Sequence, residues 1–365
     1  MGIAECDVEA CCAASAQGDI GNASQMPPPI SLIAKRVGKS VQVVSAVLNG
    51  GRSGCKASQA TQDLIRKVAD ELGYRPNAAA RAVSTGRFDS VTLLLSTALW
   101  KSTMPPETLD GISSALTALR LRLNVCGLPD ETFTNPAELP LFVSQLHTDG
   151  FLIKYDTAIP SAMRDLLGRL SAPLVWINSL QPADCVLPDE QQAGRLATEH
   201  LLGLGHRRIA FVDFFPRDAD NHYSSTARAA GYREAMVTAG SAPRIHADAI
   251  IASGDRPTWI RRLLGAADRP TAIVASDGNA ESIPLLHTAM LMGLRIPHDL
   301  SLVSIHHAID EQLGFQLTTV VRPLEQVGRV AVEMISSRLD GGPRRPAPRF
   351  MPFTLVTGAT SAPPA

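Results

Sequence analysis

Residues 30–83 read ISLIAKRVGKSVQVVSAVLNGGRSGCKASQATQDLIRKVADELGYRPNAAARAV, and the apolar spacing in this stretch predicts three short helices. Ile30, Ile33, Ala34 and Val37 fall at i, i+3, i+4 and i+7 and line one inward face. Gly38 ends that helix, because glycine enters the left-handed conformation at a helix terminus at little cost. Ser40 is placed to cap a second helix in which Val44, Val47 and Leu48 point inward. Val41, Gln42, Ser45, Ala46 and Asn49 then point outward. Ser58 starts a third helix whose Leu64, Ile65, Val68 and Leu72 complete the core before Gly73 closes it. Two helices joined by so tight a turn suggest a helix-turn-helix.

The outward face of the second helix carries short side chains, which suits a DNA major groove about 12 Å wide. Gln42 and Asn49 each offer a donor and an acceptor, the pattern that pairs bidentately with adenine. Ser45 suits phosphate or base, and Val41 or Ala46 suits a thymine methyl. The alternative is an ordinary solvated helix face. Charge favours DNA: residues 27–87 hold ten Lys and Arg against three acids, a balance of +7, while the whole chain carries −1 and the remainder therefore −8. Lysine and arginine that neutralise phosphates release counterions, so affinity for duplex DNA is expected to come from this segment.

At 365 residues the chain exceeds the ~250–300 at which single cores stop growing, so at least two domains are expected. Residues 1–27 are rich in small residues and read as a disordered leader. Six scattered cysteines form no C-x-x-C pair, so neither a metal site nor a disulfide framework is expected, and no cofactor is implied. No run of 18 apolar residues and no basic secretory n-region occurs, which points to a cytoplasmic protein without membrane association.

From residue 88 to about 360, apolar runs alternate with helical patterns: VTLLLS at 91, LNVCGL at 123, FLIK at 151, PLVWIN at 173, RRIAFVDF at 207, TAIVAS at 271 and LSLVSI at 300. This rhythm predicts an α/β domain of parallel sheets covered by helices. Ligands of such sheets bind beyond the carboxyl ends of strands, which singles out Ser96, Asn178, Phe214, Ser276 and His306. Trp100 follows the first strand and can stack on a ligand, whereas Trp176 sits inside an apolar run and reads as core. Gly203-Leu204-Gly205 lies after a helix and before a strand, the reverse of a dinucleotide loop, and reads as a helix-terminating turn. His206 reads as a packed histidine before a strand. There is no P-loop and no G-x-S-x-G, so an enzyme is not expected.

Through LIAKRVGKSVQVVSAVLNG, ASQATQDLIRKVADELGYRPNAAARAV, DEQQAGRLATEHLLGLGHRRIAFV, RAAGYREAM, MGLRIPHDLSLVSI and LTTVVRPLEQVGRVAVEMI, residues 28–360 resemble the lactose-repressor (LacI/GalR) family of transcriptional regulators. The resemblance implies a DNA-binding domain over 28–75, a hinge helix over 76–87 and an effector and dimerisation domain over 88–360. That last domain is similar to periplasmic binding proteins, two Rossmann-like subdomains with crossings near 188, 318 and 346. It implies DNA contacts from Ser40, Val41, Gln42, Ser45, Ala46, Asn49, Tyr74, Asn77, Ala80 and Arg81, with Val83 as the minor-groove wedge where the family usually has leucine. AAARAV is far shorter than the ~12–15 residues an isolated helix needs, so the hinge is expected to fold only on operator DNA. Ala46 stands where many members carry arginine.

Matching motif positions place Asn178, Arg228, Ser276, Asp277 and His306 in or beside an effector pocket, with Ser96 and Trp100 near it. His306 and His307 replace two acids of the family's usual VGFDD, which suggests a poorer fit for neutral hexoses and tolerance of a sugar acid or phosphate. An abandoned ligand role for this loop is the equal alternative. The implied function is a repressor, a homodimer on a pseudo-palindromic operator, controlled by a carbohydrate-related small molecule. The terminal SAPPA lacks a heptad tail, which favours dimer over tetramer. The rival reading is a solute-binding protein or sensor without a DNA-binding role.

Overall fold

The computed structural model describes residues 28–48, 57–75, 82, 86–98, 101–129, 146–214, 222–247, 255–307 and 314–365. The chain divides into a unit ending at Arg87 and a second beginning at Phe88.

The first unit contains α1 (Ile30–Val37), α2 (Val41–Leu48) and α3 (Gln59–Glu71). Gly38 terminates α1 at φ 64°, and the Lys39 N–H reaches back to the Ala34 carbonyl at 3.1 Å. Ser40 Oγ accepts from the Val43 N–H and Ser58 Oγ from the Thr61 N–H, each at 3.4 Å, so both hydroxyls occupy helix starts. Ile33, Ala34, Val44, Val47, Ile65, Val68 and Ala69 form the core, with Leu72 and Tyr74 packed on it. One expectation fails: Leu64 is 48% exposed. Ile65, Val68, Ala69 and Leu72 stand at i, i+3, i+4 and i+7, and Leu64, about 100° from Ile65 around the helix, falls off that face.

The second unit contains two six-stranded sheets. The first sheet uses β1 (Ser90–Ser96), β2 (Arg122–Leu128), β3 (Gly150–Lys154), β4 (Leu174–Ile177), β5 (Cys185–Pro188) and β11 (Arg349–Met351), in the order β11-β5-β4-β3-β1-β2. The second uses β6 (Ile209–Val212), β7 (Arg244–His246), β8 (Ala272–Ala275), β9 (Ser301–His306), β10 (Thr318–Val321) and β12 (Thr354–Val356), in the order β12-β10-β9-β8-β6-β7. Among the described residues all pairings are parallel except β10 with β12. Helices α4 (Pro106–Ala118), α5 (Ser161–Arg169) and α10 (Leu324–Leu339) go with the first sheet; α6 (Glu190–Gly203), α7 (Ser224–Thr238), α8 (Arg256–Gly265) and α9 (Asn279–Leu291) go with the second. Each sheet carries apolar clusters on both faces, so its strands read as continuous apolar runs.

The chain passes between halves after Pro188, after Val321 and after Met351. The second and third passages lie beyond the expected 318 and 346, because Thr318–Val321 is still a strand of the second sheet and Arg349–Met351 still one of the first. Residues past 360 belong to the second half: Ala362 O and Thr271 Oγ1 both bond the buried His206 ring. Trp176 is buried within the first sheet's core. Gly203-Leu204-Gly205 ends α6, with Gly205 at φ 101°. Phe214, singled out by its place after a strand, is fully buried among apolar side chains instead of facing a ligand.

Candidate functional site

Two places in the molecule present polar groups in an arrangement that packing alone does not require. The first is α2, where Val44 and Val47 are buried while Val41 and Gln42 are exposed and Ser45 and Ala46 half-exposed. Ser40 stands exposed at its start, and Lys35, Arg36 and Lys39 are exposed just before it. Tyr74 is half-buried against the core of the unit. Asn49, Asn77, Ala80, Arg81 and Val83 lie outside the described residues.

The second is a cleft of about 760 Å³ in the second unit, lined from both halves. The first half contributes Lys154, Asp156 and Asn178, and the second Arg228, Asp277 and His306. Glu190 and Arg322 sit at the first two passages between halves.

Arg228 reaches the cleft because α6 and α7 cross at near backbone contact. A Cβ on Gly231 would lie 1.9 Å from Gln191 O, and one on Gly194 would lie 2.0 Å from Arg228 O. The R-x-x-G spacing is therefore a packing requirement that sets the guanidinium's depth. Arg228 Nε donates to Glu190 Oε2 at 2.6 Å and Nη1 to Ser276 O at 2.5 Å, with Asp277 Oδ1 at 3.4 Å. Arg322 approaches Asp277 Oδ1 at 3.5 Å and Glu190 Oε1 at 3.7 Å. Burial works to raise the Glu190 carboxyl, but Arg228 and Arg322 outweigh it and hold the pKa below the usual value.

On the other wall Lys154, buried, pairs with Asp156, which also accepts from Asn178 Nδ2 at 3.0 Å and from the Thr103 N–H at 3.2 Å. His222 Nε2 donates to Asn178 O at 2.7 Å, and burial drives this imidazole down to about 4, so it is neutral. Beneath Asp277, Glu281 accepts from the Phe214 N–H at 3.1 Å and the Asp277 N–H at 3.0 Å. Burial pushes its carboxyl up to about 8. His306 packs on Gly278, where a Cβ would lie 1.9 Å from its Cδ2, and its ring centroid is 4.0 Å from that of His307.

Of the residues singled out in the sequence, Asn178, Arg228, Asp277 and His306 line this cleft. Ser276 is buried behind it and supports Arg228 through its carbonyl. Ser96 is buried at the end of β1, its N–H donating to Ser102 Oγ at 2.8 Å, and does not line the cleft. Trp100 lies outside the described residues. Lys154, Glu190 and Arg322 were missed, although each stands at or just beyond the carboxyl end of a strand, where the rule that found Asn178 also applies. The acceptors thought lost with His306 and His307 are supplied elsewhere, since Asp156 and Asp277 line the same cleft. Among the described lining residues three cations, Lys154, Arg228 and Arg322, face three acids, Asp156, Glu190 and Asp277, and their formal charges balance. Among the described residues Asn178 Oδ1, Asn279 Oδ1 and Arg322 Nε are buried with no hydrogen bond.

Residues 30–77 match the model of bacterial regulatory proteins of the lacI family, and residues 198–361 match that of a periplasmic binding protein-like domain. The chain thus carries a lacI-family DNA-binding domain followed by a periplasmic binding protein-like domain. Its curated relatives include the HTH-type transcriptional repressor PurR of Vibrio campbellii, 26% identical over 84% of this chain and 90% of that protein. The HTH-type transcriptional regulator CelR of Thermobifida fusca is 27% identical over 87% and 94%, respectively. Among solved structures, the lac repressor dimer bound to operator and the anti-inducer ONPF shares the fold of this chain, with TM-score 0.70 and 20% identity over 92% of this chain and 100% of that one. A CelR–cellobiose complex has TM-score 0.57 and 24% identity, covering 91% and 99%. This chain is a DNA-binding transcriptional regulator controlled by an effector, and not an enzyme. Among the described residues no helix is long and apolar enough to cross a membrane.

Proposed function

We propose that this regulator is a LacI-family repressor that acts as a homodimer on a pseudo-palindromic operator and releases or tightens its grip when a neutral, polyhydroxylated, carbohydrate-like effector enters the cleft. The carrying observation is the cleft wall: the formal charges of its described residues cancel, while the buried Asn178 Oδ1, Asn279 Oδ1 and Arg322 Nε make no hydrogen bond. A buried polar atom left unbonded costs about 1–3 kcal/mol, which a ligand offering both hydroxyl hydrogens and oxygens recovers. A sugar acid is the poorer guest, because an added anion finds each cation already engaged by an acid.

Asn178, Arg228, Asp277 and His306 are the proposed effector contacts, joined by Lys154, Asp156 and Arg322. In the DNA complex Gln42 reads bases and Ser40, Val41, Ser45, Ala46, Asn49 and Tyr74 contribute, with Asn77, Ala80, Arg81 and Val83 acting in the hinge. Effector and operator then bias one equilibrium between arrangements of the dimer, and the coupling between them is reciprocal.

Calorimetry of the full chain against a panel of neutral mono- and disaccharides and the matching sugar acids tests this reading. Tighter binding of a neutral member, lost on Asn178→Ala, is expected. Preference for the acid of a matched pair would overturn it. Val83→Gly is expected to weaken operator complexes while leaving non-specific DNA binding in place, since only the specific complex folds the hinge.

A further inference from the structure

A second cavity, of about 380 Å³, shares no lining residue with the cleft. It is walled by the end of α5, strand β4, the turn leading into β5, and the segment that follows α10. Leu167, Leu170, Leu174 and Trp176 give it an apolar floor. Arg164, Arg338, Arg344 and Arg345 also line it, against a single acid, Asp184.

That acid is already engaged. Arg338 Nη1 donates to Asp184 Oδ1 at 2.9 Å and to Leu174 O at 3.0 Å. Among the described residues Arg164, Arg344 and Arg345 form no ion pair, so the cavity holds a surplus of three guanidinium charges. Like charges gathered around one concavity repel until an anion joins them. A guanidinium presents a fork of donors that matches phosphate oxygens two at a time. A phosphate monoester brings close to two negative charges and three acceptor oxygens at neutral pH. Leu174 and Trp176 are themselves largely buried, so the floor offers a narrow apolar seat, which a ring-bearing body caps better than a hydrated ion does.

We infer that this cavity is a second ligand site, for a small phosphate monoester whose organic part rests on Leu174 and Trp176 while Arg164, Arg344 and Arg345 hold the phosphate. The turn from Asn178 to Asp184 links it to the cleft. Asn178 lines the cleft at one end, and Gln181, Pro182, Ala183 and Asp184 line this cavity at the other. The turn is held at its far end, where the Trp176 N–H donates to Asp184 O at 2.7 Å and the Asp184 N–H to Pro346 O at 2.9 Å. The inference does not rest on the identity of the cleft's effector.

Calorimetry of the full chain with phenyl phosphate, phenol and inorganic phosphate tests it. Phenyl phosphate is expected to bind once per chain, and each of the other two at least about tenfold more weakly. The double variant Arg344→Gln/Arg345→Gln replaces exposed side chains, and its melting curve should overlay that of the parent. It is expected to weaken phenyl phosphate at least about tenfold, whereas Arg322→Gln, in the cleft, should change it less than about twofold. Loss of binding in Arg322→Gln but not in the double variant would overturn the assignment. So would inorganic phosphate binding as tightly as phenyl phosphate, or no saturable binding of phenyl phosphate at all.

Discussion

The two units spend their polar groups in opposite ways. In the first, a core of seven buried apolar residues holds three short helices, and Val41 and Gln42, proposed to read DNA, stand exposed outside it, while Ser40 also caps α2 and Tyr74 packs on the core. In the second, the groups proposed to bind the effector are also ties within the fold: Arg228 and Glu190 are both buried and bonded to each other. Substitutions on α2 should therefore separate function from stability, whereas substitutions on the cleft's deep wall should not.

The largest effect that sharpens this contrast is expected from Arg228→Ala. It leaves the buried Glu190 carboxylate with Arg322 at 3.7 Å as its remaining cation. Removing one partner of a buried pair costs about 3–5 kcal/mol, so urea unfolding should lose that much and effector binding should vanish with it. A variant as stable as the parent would break the contrast. Next comes Gln42→Ala, expected to weaken the specific operator by about 1–3 kcal/mol in mobility-shift titrations, with non-specific DNA and the melting curve unchanged. Equal losses on both DNAs would move Gln42 to a phosphate contact. Ser58→Ala removes the cap of α3 and should cost the first unit about 1 kcal/mol, read from its own unfolding transition.

A further effect is a pH dependence in the second unit. His222 is held at about 4, below its ordinary 6.5, by burial. An unfolded chain therefore binds the proton more readily, and the stability this group contributes is fully present above 6.5 and is lost as pH falls towards 4. Glu281, held up at about 8, acts in the opposite direction over part of that window, so the His222 contribution is read as a difference: as pH falls from 6.5 to 4 the parent should lose more stability than His222→Asn, which keeps a donor for Asn178 O. An unaltered pH profile in the variant would assign the titration elsewhere.

The same contrast explains how much could be read from the sequence. The inward faces of α1 and α2 follow from local spacing, as do the caps Ser40 and Ser58 and the glycine that ends α1, because a helix sees its own neighbours first. The error at Leu64 is of the same local kind, a choice between adjacent residues at the edge of an apolar stripe. The cleft is not local. Glu190, Arg228 and Arg322 lie far apart in the chain and meet only because α6 and α7 cross at Gly194 and Gly231 and because the chain passes between halves beside Glu190 and Arg322. Arg228 was found through the motif it shares with its family. Lys154 and Arg322 stood at strand ends that were open to the same reading as Asn178 and were passed over. The charge balance of the described wall residues, on which the proposed preference for a neutral effector rests, depends on side-chain contacts that no spacing reveals.

The most direct test of the central claim is fluorescence anisotropy of a selected natural operator and a scrambled duplex, titrated with the full chain across salt, with and without a saturating cleft ligand. A clear preference for the operator is expected, with a steep fall of affinity with salt and a shift on adding ligand equal to the factor by which operator changes ligand affinity. Equal affinity for both duplexes, unmoved by any ligand that occupies the cleft, would contradict the claim.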